Sequence, residues 1–163
     1  MNTPARDIRG VMISVGEGKL LLPNASVAEV ITYSDPEPVG GDDTPAWLLG
    51  RVRWRGWRLP LLSFAKFAGW DEEEGSYGAK VAVLKALGGN PKLPFFAVRS
   101  QGFPRLVTVA HDTLVEEAGA DGDTLPTGVH ARVLLNQDQA LLPDLESIER
   151  MIGEALQQAS QAA

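Results

Sequence analysis

Apolar positions in this chain fall into short runs rather than one long period. Gly10–Val15, Lys19–Pro23, Val27–Thr32, Leu48–Trp54 and Trp57–Leu62 occupy the first half. Lys80–Leu87, Leu93–Val98, Arg105–Val109, Val129–Leu135 and Ala140–Leu142 occupy the second, and Gly, Pro or Asp stops each run. Short β-rich runs recurring about every ten residues, with turn residues between them, predict a mostly β barrel or sandwich. Gly16-Glu17-Gly18, Gly88-Gly89-Asn90-Pro91 and Asn136-Gln137-Asp138 read as hairpin connections. Pro36 to Pro45 reads as an exposed loop, and Asp71 to Gly75 as a joint between halves or a solvated surface turn.

A helical period appears mainly at the end. Leu145, Ile148, Ile152, Ala155, Leu156 and Ala159 share one face at steps of three and four. Pro143-Asp144 supplies a stop and an N-cap, and Glu146 suits the positive end of the helix dipole. Ser63–Gly69 predicts one short helix with Leu62, Phe64 and Phe67 turned inward.

Composition narrows the function classes. The 163 residues carry 15 Lys and Arg against 21 Asp and Glu, a formal charge of −6. A phosphate-backbone binder needs a basic face, so nucleic acid is not an expected partner, and anionic lipid would be repelled. Zero cysteines exclude disulfides, thiolate catalysis and thiolate metal sites. No apolar run approaches the ~18–20 residues a membrane span needs, and the first dozen residues lack a signal-type apolar core. A cytoplasmic protein without direct membrane insertion is the expectation.

Catalytic and metal signatures fail one after another. Gly18-Lys19 is followed by Leu20, so a phosphate loop is incomplete. His111 and His130 lie in separate β-like contexts with no zinc-type spacing. Asp121-Gly122-Asp123 opens like a calcium loop but lacks the closing glutamate. The acidic runs at Asp42-Asp43 and Glu72–Glu74 read as solvated faces. Asn24-Ala25-Ser26 fits a glycosylation sequon only by chance in a chain without a secretion signal.

Binding is the stronger signal. Leu48 to Pro60 gathers Arg51, Arg53, Arg55 and Arg58 with Trp54 and Trp57 around one tight turn. Strand alternation places Val52 and Trp54 on one face and Arg51, Arg53 and Arg55 on the other. Gly56 lets the backbone reverse, leaving Arg55 and Trp57 at a hairpin tip. Arg and Trp anchor protein interfaces because they combine large area with directed hydrogen bonds. The same pattern also fits two core tryptophans beside arginines that merely solubilise an edge.

These residues resemble the CheW-like family of chemosensory coupling proteins. The resemblance rests on Thr44 to Leu62, above all Gly50, Arg55-Gly56 and Pro60. Leu20–Pro23, Val27-Ala28-Glu29-Val30, Val81–Leu84, Leu93–Val98, Leu106–Val109 and Ala140–Leu145 extend it as a pattern over residues 10–152. The chain departs from the family at Ser63 and Arg99, where acids are usual, and at Trp54 and Trp57, where smaller residues are common. Those departures are similar to accessory members of systems controlling type IV pilus motility.

The resemblance implies two intertwined five-stranded SH3-like barrels with a groove between them and a C-terminal α-helix. It implies one domain over 8–152, a joint near 68–78, and a frayed helical tail over 153–163. It implies no catalysis and no cofactor: a non-enzymatic adaptor joining a methyl-accepting chemoreceptor tip to the regulatory domain of a CheA-type histidine kinase. Arg55 and Gly56 then belong to the coupling region, and Val27, Glu29 and Val30 line the receptor side. Trp54 and Trp57 join the partner-binding set on interface energetics. Two other readings stay open: a CheW-like subunit without kinase coupling, motivated by Ser63 and Arg99, and a small ligand-binding or enzymatic barrel with a pocket lined by Arg53, Arg55 and His130.

Overall fold

The computed structural model of the chain describes residues 7–16, 18–41, 44–70, 78–117 and 125–161. Eleven strands and two α-helices are present among them. In chain order they are β1 (Ile8–Val15), β2 (Gly18–Pro23), β3 (Val27–Thr32), β4 (Leu48–Trp54), β5 (Trp57–Leu62) and α1 (Phe64–Phe67). Then come β6 (Lys80–Lys85), β7 (Phe95–Ser100), β8 (Arg105–Val109), β9 (Leu114–Glu116), β10 (Val129–Leu135), β11 (Asp138–Pro143) and α2 (Leu145–Gln161). The fold is mostly β with a C-terminal α-helix, as expected.

Two sheets organise the strands. One has six, in the order β8-β1-β2-β11-β10-β9; the other has five, in the order β3-β6-β7-β5-β4. The N-terminal hairpin therefore belongs with the C-terminal strands, and the middle of the chain forms the second unit, so the two are intertwined. The chain crosses from one sheet to the other at the 3-10 turn Asn24–Ser26 and returns between β7 and β8. The segment 68–78, expected as a joint, falls in the chain between α1 and β6, and the strands before and after it, β5 and β6, belong to the same five-stranded sheet. Its residues 71–77 lie outside the described residues, as do 42–43 and 118–124.

Alternation explains why some strands read as unbroken apolar runs. On β1, Val11, Ile13 and Val15 enter a central cluster between the sheets, while Met12 enters the core of the six-stranded unit. On β2, Leu20 and Leu22 face the centre and Leu21 the other way. On β6, Ala82 and Leu84 face the centre, whereas Val81 and Val83 fill the core of the five-stranded unit. A strand between two cores has no face left for water. Strands with one wet face show the mixed pattern instead: β4 buries Leu48, Gly50, Val52 and Trp54, and β10 buries Val129, Ala131, Val133 and Leu135.

Both helices close the central cluster. Asp144 caps α2, its Oδ1 accepting from the Ser147 N–H at 3.1 Å. Ile148 and Ile152 pack into the cluster with Leu145 and Leu156 at its margin; each fully buried isoleucine contributes roughly 1.5–3 kcal/mol. The helix runs regularly to Gln161, so residues 153–161 of the expected tail are helical. Glu149, also buried on α2, accepts the backbone N–H groups of Leu87 at 2.5 Å and Gly88 at 3.2 Å, which ties the β6–β7 turn to the helix.

Several boundaries differ from the sequence reading. β6 stops at Lys85 and β7 starts at Phe95, because Leu93 is buried from a turn in which its N–H bonds to the Asn90 carbonyl. β9 gave no sequence signal, being three residues long with one outward Val115. Within the Pro36–Pro45 loop, Glu37 pairs back onto Arg51 through two backbone hydrogen bonds of 2.9 and 2.8 Å.

Candidate partner-binding site

The β4–β5 hairpin is built as alternation predicts. Val52 and Trp54 point into the core of the five-stranded unit, while Arg53 stands in solvent. Arg53 pairs with Arg58 and Trp54 with Trp57, leaving Arg55 and Gly56 as the two-residue turn. Their φ values are 46° and 81°, the positive pair that a type I′ turn requires. Asn-Gly is the residue pair that fits such a turn without strain, so an arginine at the first position costs roughly 1–2 kcal/mol. Arg55 is held there by other contacts. Its Nη2 lies 2.6 Å from Glu29 Oε1 on β3, and its guanidinium sits 5.0 Å from the Trp54 ring centroid.

Two more of the hairpin's arginines are paired in the same way. Glu37 faces both Arg53, at 3.3 Å, and Arg58, at 3.7 Å. Exposed pairs of this kind are worth about 0–1 kcal/mol each, so they orient the guanidinium groups more than they stabilise the fold. Gly50 completes the frame. A Cβ there would collide with the Glu37 carbonyl oxygen, and its φ of 146° is itself unfavourable for other residues. Only glycine lets the 36–37 segment lie against β4.

The two tryptophans take different roles. Trp57 is 43% exposed and meets Phe95 edge-on at 6.4 Å. Trp54 is only 8% exposed, packed edge-on against Phe95 at 4.9 Å, with its Nε1–H buried and without a hydrogen-bond partner. The expectation of Trp54 as a contact residue is therefore corrected: its indole is core, and it supports Arg55 from beneath. Glu29, 26 residues before Arg55 in sequence, meets the Arg55-Gly56 turn at one surface. Val27 reaches the central cluster from the start of β3, and Val30 is half-buried two residues beyond Ala28.

Sequence reasoning missed Glu37 and Phe95. Glu37 sits in a proline-flanked loop with no periodic signal, and Phe95 looked like one more residue of an apolar run. Ser63, the departure from the family's acid, is the buried N-cap of α1, accepting the Lys66 N–H at 3.2 Å. Ser and Asp cap helices equally well, so the exchange keeps the local structure. Arg99 lies over the Tyr33 ring at 4.7 Å. The pocket expected from Arg53, Arg55 and His130 does not assemble: the depression at the hairpin is lined by Arg53 to Arg58, and His130 stands exposed on β10 of the other sheet. Among the described residues, no cluster of His, Asp or Glu could hold a metal ion, and no helix is long and apolar enough to cross a membrane.

Two intertwined β units, a capping helix and an arginine-rich hairpin braced by the edge strand β3 define the domain. The CheW-like domain profile matches residues 9–151, and the chain belongs to that family. Its structure is similar to that of the scaffolding protein TtCheW from Thermoanaerobacter tengcongensis, with a TM-score of 0.64 at 17% identity, over 88% of this chain and 90% of that one. At that identity the likeness speaks for the fold. No curated protein matches the sequence.

Proposed function

We propose that this chain is a non-enzymatic cytoplasmic adaptor that couples the tip of a methyl-accepting chemoreceptor to the regulatory domain of a CheA-type histidine kinase. The setting is a chemotaxis array or a type IV pilus (twitching) system. Membership of the CheW-like family supports the class. The observation that carries the reading is the Arg55–Glu29 contact at 2.6 Å. It joins the hairpin turn to β3, the two segments that the family resemblance assigns to coupling. Keeping an arginine in a strained turn is a cost to the fold, and such strain persists where function needs the side chain. In this reading Arg55, Gly56, Trp57 and Glu29 form the contact surface with Val27 and Val30 beside them, and Trp54 positions Arg55. No catalytic group, nucleic acid or cofactor enters it.

A pull-down of the purified chain from its own cell lysate, read by mass spectrometry, tests this. Recovery of a CheA-type kinase or chemoreceptor is expected, with Arg55→Ala weakening it by about 1–3 kcal/mol while the unfolding midpoint stays near that of the parent. Recovery of neither from a folded bait would sink the proposal. Recovery of a receptor without any effect on kinase output would instead favour the subunit that lacks kinase coupling.

A further inference from the structure

The six-stranded sheet ends at β8, whose outer backbone groups face away from the sheet. Leu106 on this strand stands opposite Val11 of β1. Directly opposed residues share a face, and Val11 is part of the central cluster. The apolar face therefore continues one strand beyond its cover, leaving Leu106 72% exposed. Phe103, just before β8, is 76% exposed, and the Lys80 ammonium lies 4.6 Å from its ring centroid. Arg9, opposite Thr108, lies on the same face as Leu106, one pleat along.

An uncovered apolar side chain on an open edge invites pairing with another chain, and native proteins normally blunt such edges. Here the edge is flanked by cations in a chain whose net charge is −6. We propose that β8 accepts a short extended segment of an acidic partner by strand addition. An apolar side chain of that segment packs on Leu106 and Phe103, and carboxylates face Arg9 and Lys80. Residues on one face of a strand recur every second position, roughly 7 Å apart. The fitting segment thus carries acidic, apolar and acidic residues at alternate positions. A second copy of this chain fits poorly, because pairing two β8 edges would bring the Arg9 and Lys80 groups of both copies together. This surface is separate from the hairpin, and its test is independent of the coupling function proposed above.

The probe is a labelled ten-residue peptide with Asp-x-Leu-x-Asp at its centre, beside a matched peptide with lysines in place of the aspartates, each titrated against the full chain. Saturable binding of the acidic peptide is expected, with amide shifts confined to residues 103–109 and neighbouring β1. Leu106→Glu should weaken it at least tenfold, roughly the effect of losing one interface anchor. Lys80→Glu should turn the preference toward the lysine peptide. Leu106 is exposed and Lys80 half-buried, and circular dichroism of the variants confirms their folding. No saturation by about 1 mM, or affinity that neither variant changes, would overturn the proposal. Self-association of the parent chain that Leu106→Glu abolishes would overturn it in favour of a second copy.

Discussion

The hairpin tip and the β8 edge both expose large apolar side chains among cations, yet they are organised in opposite ways. At the tip, Arg53, Arg55 and Arg58 each face a carboxylate of the same chain, Glu29 or Glu37. Trp57 there is backed by Phe95, and Phe95 by the buried Trp54. At the edge, Lys80 lies on an exposed phenyl ring, and Leu106 extends an apolar face into solvent. The tip is preorganised: its side chains are oriented before any partner arrives, which lowers the ordering cost of binding. The edge supplies a backbone row that no strand pairs among the described residues, together with apolar area, so a partner must bring both the order and the opposite charge.

The largest effect expected from this contrast separates Trp54 from Leu106. Trp54→Ala removes a buried aromatic that packs against Phe95 and lies under Arg55, and should cost about 3–5 kcal/mol in denaturant unfolding. Leu106→Ala should change stability by no more than about 0.5 kcal/mol. Equal costs at the two positions would mean that the edge is packed as firmly as the tip. Gly50→Ala comes next. Its new Cβ meets the Glu37 backbone rather than a yielding side chain, so a loss of about 2–3 kcal/mol is expected. The amide protection of Glu37 and Arg51 should fall with it. Unchanged protection would separate the 36–37 segment from the organisation of the tip.

The tip was legible in sequence and the edge was not, for a physical reason. A two-residue turn fixes which neighbours meet, so Arg55, Gly56, Trp54 and Trp57 could be placed from alternation and one glycine. The contact to Glu29 depends on β3 and the hairpin coming together across the five-stranded unit, which no local period encodes; only the family resemblance pointed to both segments. Burial was also ambiguous locally. Trp54 and Trp57 flank the same turn, but only the register against Phe95 makes one core and the other surface. The runs at Val11–Val15 and Val81–Leu84 showed strands but not that each divides its side chains between two cores. Leu106 belonged to one more apolar run, Arg105–Val109, with nothing in the run to mark it as exposed. Its exposure follows from β8 being the last strand, a fact of topology. The assignment of β1 and β2 to the C-terminal strands was likewise absent from the local pattern, since their pairing partners lie at residues 105–109 and 138–143.

The smallest effect is the sharpest test of preorganisation at the tip. Asparagine accepts a positive φ more readily than arginine and is favoured before glycine in a type I′ turn. Arg55→Asn removes the turn strain but also the contacts to Glu29 and Trp54. The exposed ion pair contributes about 0–1 kcal/mol, and the strain it accompanies is roughly 1–2 kcal/mol. Strain relief should therefore win narrowly, raising unfolding stability by about 0.5 kcal/mol while weakening partner recovery as Arg55→Ala does. That opposition is the signature of a residue kept for binding against the preference of the fold. Arg55→Asn that lowers stability would show instead that the Glu29 and Trp54 contacts hold the hairpin together, and the strained arginine would then be a structural brace.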